Sequence, residues 1–355
     1  MYFISTKSAR ILFLCLIMLI SSKLPGSIVS QDDDWEEKPK LFIWGGLAWS
    51  PDGEMVAVGT SRGIRLHTSD DLSIIEDFAE ECAVSSLDWS PDGSRIVSGC
   101  SNGDMYIWNV EVGQWLHHLP KHEYRSTVAS VAWSPSDDFI ASASWDGNAY
   151  VWEAEVGQLM QTIDLHTGTG SAFPYSLSWN LNGSQIAVQG RGRIFIWDVR
   201  AERFSLSVQY GRAIYGLKWS PNGETLVHGE LEGIIQLWDA INGELQETLE
   251  VGGRVISLGW SPDSTQLATH IASASDVREG QIQVWDVAID EVVAELPNVI
   301  MTGDGHYSNA LEWSPDGTRL ASISDDGRVI IWDMDTYEEI AVYDGYQSLV
   351  LADEG

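Results

Sequence analysis

One twelve-residue stretch, Leu311-Glu312-Trp313-Ser314-Pro315-Asp316-Gly317-Thr318-Arg319-Leu320-Ala321-Ser322, constrains what this chain can fold into, because close copies of it recur along almost the whole length. The copies centre on Trp49, Trp89, Trp133, Trp179, Trp219, Trp260 and Trp313, at steps of 40, 44, 46, 40, 41 and 53 residues. A period of that size belongs to propellers and solenoids, in which one unit cannot bury its apolar face alone. In each copy an apolar strand ends in Trp and a turn follows, as in Ser90-Pro91-Asp92-Gly93. Pro at the second position presets φ, and Gly at the fourth suits a type I turn. A second run such as Arg95-Ile96-Val97-Ser98-Gly99-Cys100 comes next, then a Gly-containing turn and a third strand such as Met105-Tyr106-Ile107-Trp108. A fourth, such as Gln114-Trp115-Leu116-His117-His118-Leu119, completes the unit.

The third strand closes on Trp197-Asp198, Trp238-Asp239, Trp285-Asp286 and Trp332-Asp333, with Trp108-Asn109 and Trp152-Glu153 as near matches and Leu66-His67 as the departure. Four short strands ending this way resemble the WD40 repeat, over about Leu41 to Gly345. The resemblance implies an all-β fold, a seven-bladed β-propeller of four-stranded antiparallel blades. It also implies a buried Asp-His-Ser-Trp hydrogen-bond network. The residues for it are present in blade three, as His122, Ser142, Asp146 and Trp152, and in blade seven, as His306, Ser322, Asp326 and Trp332. Elsewhere the Asp position holds Arg62, Asn102, Arg191, Glu232 or Glu279, which departs from the family pattern.

Residues 1–30 have a different character. Lys7 and Arg10 precede the apolar run Ile11 to Ile20, followed by Lys23, Pro25 and small residues to Ser30. That order is a secretory signal's, with cleavage expected near Ser30, and the run falls short of the roughly 20 residues that span a bilayer. A secreted or periplasmic protein is expected, without a stable membrane span after cleavage; the alternative is a protein tethered by an uncleaved signal anchor. Residues 31–40 open with Gln31-Asp32-Asp33-Asp34-Trp35-Glu36-Glu37, an acidic, solvated lead-in. The propeller takes 41–345, with blade one's strands at Gly45 to Trp49, Met55 to Val58, Ile64 to His67 and Ser73 to Phe78. Blade seven has its own fourth strand near Glu339 to Tyr343, and 346–355 form a C-terminal tail.

Charge narrows the partners. The chain carries a net −32, and losing Lys7, Arg10 and Lys23 with the signal takes it to −35. Such a surface repels phosphates, which argues against nucleic acid and anionic lipid. No phosphate-cradling Gly-rich loop, His-Glu-x-x-His helix or Gly-x-Ser-x-Gly elbow occurs, so no catalytic residue, metal or cofactor is assigned. Paired acids such as Asp137-Asp138 and Asp325-Asp326 sit where turns favour Asp. The 17 Trp residues, mostly phased with the repeat, read as blade-to-blade packing.

The function expected is that of a monomeric, rigid scaffold binding a protein partner. The alternative is a propeller hydrolase or lyase with acids or His at the channel mouth. Long loops at 166–175, 270–280 and 297–306 build up one face, and binding concentrates on such loops. On that face Trp145, placed just before the turn Asp146-Gly147, leads a candidate set completed by Tyr124, Arg125, Phe173, Tyr175, Arg212, Tyr215, Arg254, His306 and Tyr307. Large aromatics and Arg dominate interface energetics. Cys82 and Cys100, the cysteines left after signal removal, can pair within blade two. With Ser90 facing Ser94, Cys82 falls opposite Asn102, so a small shift is needed to bring Cys82 to Cys100.

Overall fold

A computed structural model of the chain describes residues 43–79, 82–119, 122, 126–165, 174–190, 192–209, 214–273, 280–296, 310–324 and 326–346. Residues 1–42, with the expected signal and lead-in, the long loops at 166–173, 274–279 and 297–309, and the tail from 347 lie outside the described residues. The blades belong to the unit Lys40–Gly355.

Seven sheets of four antiparallel strands follow one another, each ordered first, second, third and fourth strand as in the sequence. The first strands contact their neighbours in turn, and blade one's (Ile43–Trp49) meets blade seven's (Leu311–Trp313), so the ring is closed. Blade seven contributes its own outer strand, Glu339–Tyr343. No helix among the described residues is long and apolar enough to cross a membrane.

The repeat residues show why the units fold alike. In Ser50-Pro51-Asp52-Gly53 the Gly53 N–H donates to the Ser50 carbonyl at 2.9 Å, closing the turn. The Ser50 hydroxyl accepts from Met55 N at 2.9 Å and donates to Asp52, whose carboxylate accepts Glu54 N at 3.0 Å. The same bonds recur at Ser90/Asp92 and Ser314/Asp316. The Asp closing the third strand holds the next turn: Asp239 accepts from Ile241 and Asn242, and Asp333 from Asp335 and Thr336. Both polar elements of the repeat thus satisfy turn backbone, leaving the Trp residues to pack.

Trp49, Trp89, Trp179 and Trp313 each donate their indole N–H to the preceding blade, at the carbonyl just before that blade's own repeat Trp: Glu312, Ala48, Ala132 and Gly259 respectively. All seven are buried, and truncating one such ring to Ala costs about 3–5 kcal/mol. Gly99 and Gly229, in second strands, mark places where neighbouring blades approach closely. A Cβ there would run into Val128 and Val255 of the following blade.

One sequence-based register is corrected. Trp89 pairs with Ile96 and Ser90 with Arg95, not Ser94. A β-bulge between Val84 and Ser86 then changes the register, pairing Val84 with Cys100 and returning Cys82 to the Cys100 face. The two cysteines are disulfide-bonded with Cα atoms 5.8 Å apart. Trp145 is also placed differently: the Gly147 N–H bonds the Ser144 carbonyl at 3.0 Å, so Trp145 lies inside the turn. Blade one's first three strands run longer than expected, at Ile43–Trp49, Met55–Thr60 and Gly63–Thr68, and its fourth is shifted by one residue to Ile74–Ala79.

Candidate interaction face and central channel

Two places gather candidate side chains, the face carrying the second-to-third-strand turns and the channel lined by first strands.

On the face, Trp145 is fixed by its turn and by its own N–H, which donates to the Thr127 carbonyl at 3.1 Å. Its ring stands edge-on to Tyr175, with centroids 5.8 Å apart and planes at 71°. Both rings are half-buried, and burial raises the Tyr175 phenol above its usual range. Blades three and four therefore jointly present an aromatic corner. Arg254, at the start of blade six's first strand (Arg254–Trp260), is exposed. Tyr215 lies in blade five's first strand, Ile214–Trp219. Tyr124, Arg125, Phe173, Arg212, His306 and Tyr307 lie outside the described residues.

Beneath Trp145 sits the blade-three network. His122 joins Asp146 through Nδ1 at 3.0 Å and Ser142 through Nε2 at 2.9 Å, while the Trp152 indole N–H donates to Ser142 at 3.0 Å. Both His122 and Asp146 side chains are inaccessible. Blade seven keeps the Trp332-to-Ser322 bond at 2.9 Å, and there Asp326 engages Arg328 at 2.7 Å. The residue that departs from the Trp-Asp pattern is built into the seam between blades one and seven. His67 is buried there and bonds the Leu72 carbonyl and the Tyr346 hydroxyl, both at 2.8 Å.

The channel holds a constellation that sequence motifs alone do not reveal. The residue before each repeat Trp is Ala48, Ala132, Ser178 or Gly259 in four blades, but Asp88, Lys218 and Glu312 in blades two, five and seven. Asp88 accepts the main-chain N–H of Trp133 at 2.7 Å, and Glu312 that of Trp49 at 3.0 Å, so each carboxylate caps the next blade's first strand. Burial pushes the Glu312 carboxyl up to about 8, with Lys218 opposing and Asp88 adding to the rise. Burial likewise raises Asp88 to about 6, against the Trp133 N–H and Lys218. These three charges sit on non-adjacent blades, so they act on one another only across the channel. The sequence signal for them is a break in the small residues before Trp. Among the described residues no three His, Cys, Asp or Glu converge to hold a metal.

Comparison with known proteins agrees with this architecture. Residues 51–169 match the Vps8 beta-propeller family, 184–263 the WD40 domain of anaphase-promoting complex subunit 4, and 297–333 the WD domain, G-beta repeat. The chain is 27% identical over 172 residues to a guanine nucleotide-binding protein subunit beta of Oryza sativa subsp. japonica, covering 46% of this chain and 45% of that one. It is 28% identical over 169 residues to an anaphase-promoting complex subunit cdc20 of Dictyostelium discoideum, covering 44% and 31%. These matches span less than half the length of either relative. A chain of a mitotic checkpoint complex crystal structure superposes with a TM-score of 0.69 at 22% identity, covering 89% of this chain and 99% of that one, which is a likeness of fold. With seven phased Trp-Ser-Pro-Asp-Gly-type hairpins, Trp-Asp strand ends and a closed ring of four-stranded blades, the chain belongs to the WD40-repeat family.

Proposed function

We propose that this protein is an extracytoplasmic interaction scaffold, without catalytic activity of its own, that holds a protein partner on the face carrying the second-to-third-strand turns. The observation that carries the reading is the Trp145–Tyr175 corner, two large half-buried rings edge to face on a closed ring, with Trp145 held by its main-chain bond to Thr127. Rigid aromatics presented this way bind with little ordering cost. The relatives support it: one is named as a subunit of a guanine nucleotide-binding protein, another as a subunit of the anaphase-promoting complex. The net charge of −32 disfavours nucleic acid as the partner. The Cys82–Cys100 disulfide supports an oxidising compartment, in keeping with the basic, apolar and small-residue order of residues 1–30.

Cross-linking and pull-down of the protein from its native envelope or medium identifies the partner. A Trp145→Ala, Arg254→Ala double variant is then expected to lose roughly 2 kcal/mol of binding, about 30-fold in affinity. A folded variant with unchanged affinity removes this face from the reading. N-terminal sequencing reports the location: an intact Met1 in a soluble cytoplasmic fraction contradicts export, and an intact Met1 in membranes supports the anchored alternative.

A second reading, a hydrolase or lyase, is favoured by one observation. Glu312 and Asp88 bracket neutral pH at about 8 and about 6, as an acid and base pair does. Burial accounts for both raised values, and the bond each carboxylate makes to the next blade's main chain gives it a structural role without catalysis. Glycan, peptide and ester panels that give no turnover sensitive to Glu312→Gln exclude it.

A further inference from the structure

Neighbouring blades meet through apolar faces, so the polar bonds at each seam decide which seam opens most easily. Two positions of the first strand supply many of them. The residue three before the repeat Trp accepts a main-chain N–H of the following blade: Ser86 from Val131 at 3.0 Å, Ser130 from Leu177 at 3.3 Å and Ser176 from Leu217 at 3.1 Å. The residue one before it accepts the N–H of the following Trp: Asp88 from Trp133, Ser178 from Trp219 and Glu312 from Trp49. Where that residue is Ala48, Ala132 or Gly259, the following Trp indole bonds its carbonyl instead. Blade five departs from all of this. Its two positions hold Gly216, which has no side chain, and Lys218, whose ammonium donates and does not accept. The indole N–H of the following Trp260 is buried with no acceptor among the described residues.

The blade-six side of this seam is short of partners too. Trp285, its third-strand Trp, has a buried indole N–H without an acceptor among the described residues, and Gln283 has a buried amide oxygen without a donor. In blades two, three and seven the same indole is met by Ser98, Ser142 and Ser322. Blade six has Thr269 at that place, and its hydroxyl turns to the Gln283 carbonyl at 3.3 Å. At every other seam at least one Trp indole is bonded among the described residues. A buried N–H without a partner is penalised while a seam is shut and relieved by water when it opens. Blades five and six are joined by apolar packing, with Val227, Ile235 and Leu237 in one cluster with Leu258, Trp260 and Leu267. An exposed bond at the turn tips, from the Asn222 N–H to Ser264 at 3.0 Å, accompanies it.

We propose that the seam between blades five and six is a built-in hinge line at which this ring opens reversibly, while the seam where the first and last blades meet stays shut. That second seam carries the reciprocal Glu312–Trp49 bonds, the Arg319–Asp70 pair and the His67–Tyr346 bond. Opening between blades five and six also moves Lys218, the channel cation that acts on Asp88 and Glu312. The channel's charged group is thereby coupled to the hinge.

Hydrogen–deuterium exchange of the purified full chain, read by mass spectrometry, tests the proposal. Amides of Ile214–Trp219 and Arg254–Trp260 are expected to exchange about tenfold or more faster than those of Val84–Trp89 and Val128–Trp133. Two substitutions install what other blades have. Lys218→Ser supplies the acceptor that Ser178 offers in blade four, and Thr269→Ser the one that Ser98 offers to Trp108. Each is expected to slow exchange at the seam of blades five and six about fivefold, the effect of one added hydrogen bond, and to leave blades two and three unchanged. Lys218→Ser also removes a channel charge, whereas Thr269→Ser leaves those charges in place, which separates the two effects. Circular dichroism and melting confirm that each variant is folded. Equal exchange around the ring overturns the proposal. So does fastest exchange at Ile43–Trp49 and Leu311–Trp313, which assigns the opening to the first and last blades. Folded variants that leave this seam exchanging as in the parent, or that slow every blade alike, overturn it as well.

Discussion

Glu312 and Trp49 clasp each other across the seam where the last blade meets the first: the Glu312 carboxyl accepts the Trp49 main-chain N–H at 3.0 Å, and the Trp49 indole N–H donates to the Glu312 carbonyl at 3.0 Å. Ring closure thus joins residues 263 positions apart without borrowing a strand from the other end of the chain. Arg319 adds a bond to Asp70 at 2.9 Å, and Arg65 one to Tyr343 at 3.0 Å. Nothing covalent holds this seam, so the clasp is where stability meets pH.

Stability is expected to fall as pH rises from about 4.5 to about 8. The Glu312 carboxyl is raised from its ordinary 4.5 to about 8, so the folded state holds a proton that the unfolded chain has released. Its stabilising contribution is complete below about pH 4.5 and is lost as pH climbs through 8. Glu312→Gln keeps an acceptor for Trp49 without the charge. It should match the parent near pH 5 and exceed it at pH 9 by on the order of 1 kcal/mol in denaturant melts. Equal pH profiles for the two proteins would contradict the assignment.

The turn aspartates set the acid side. Asp52, Asp92, Asp263 and Asp316 are held below the ordinary 3.8, chiefly by the hydroxyl of the Ser two residues earlier. Their contribution is present above about 3.8 and disappears as pH falls through the lowered values. Substituting all four with Asn should flatten the acid limb of the stability curve, read from melting temperatures between pH 2 and 5.

Ser142 serves two partners in blade three, His122 and Trp152, whereas among the described residues Ser98 in blade two receives the Trp108 indole N–H alone, at 2.9 Å. Ser142→Ala should cost about 1–3 kcal/mol, because it strands buried polar groups on both. Ser98→Ala should cost less. The reverse order in chemical denaturation would show that the His122 network adds nothing.

Loss of the Cys82–Cys100 bridge, which encloses a sequence separation of 18, is expected to cost about 3 kcal/mol by the loop-entropy relation. Cys82→Ser with Cys100→Ser, compared with the parent in urea, measures it. Non-reduced mass spectrometry with alkylation establishes first that the bond is present, and two freely alkylated thiols would remove the prediction.

Glu202 adopts φ 50° at the turn position filled by Gly113, Gly157 and Gly243 in other blades. A left-handed conformation costs a non-Gly residue about 1–2 kcal/mol, and glycine returns about half of that in chain entropy. Glu202→Gly should therefore stabilise by up to about 1 kcal/mol. A lower midpoint in denaturant would show that the Glu202 side chain contributes more than its strain costs.

The sequence by itself determined the blade count, the strand order and the turn chemistry. Each rests on contacts within about ten residues: Ser90 with Asp92, Ser98 with Trp108, Asp333 with Thr336. Short-range hydrogen bonds of this kind recur with the repeat, so a periodic text spells them out. The blade-three residues His122, Ser142, Asp146 and Trp152 were legible for the same reason, all falling at set places in one unit. The tertiary structure decided what depends on two units meeting. It set the bulge that carries Cys82 to Cys100, the Trp145–Tyr175 corner, and the reciprocal clasp of Glu312 and Trp49. It also turned Asp88, Lys218 and Glu312 into one electrostatic group. These three stand at equivalent positions of different repeats, more than 90 residues apart. Only closing the ring brings their charges within reach, and only burial there makes the carboxyl groups titrate near neutrality.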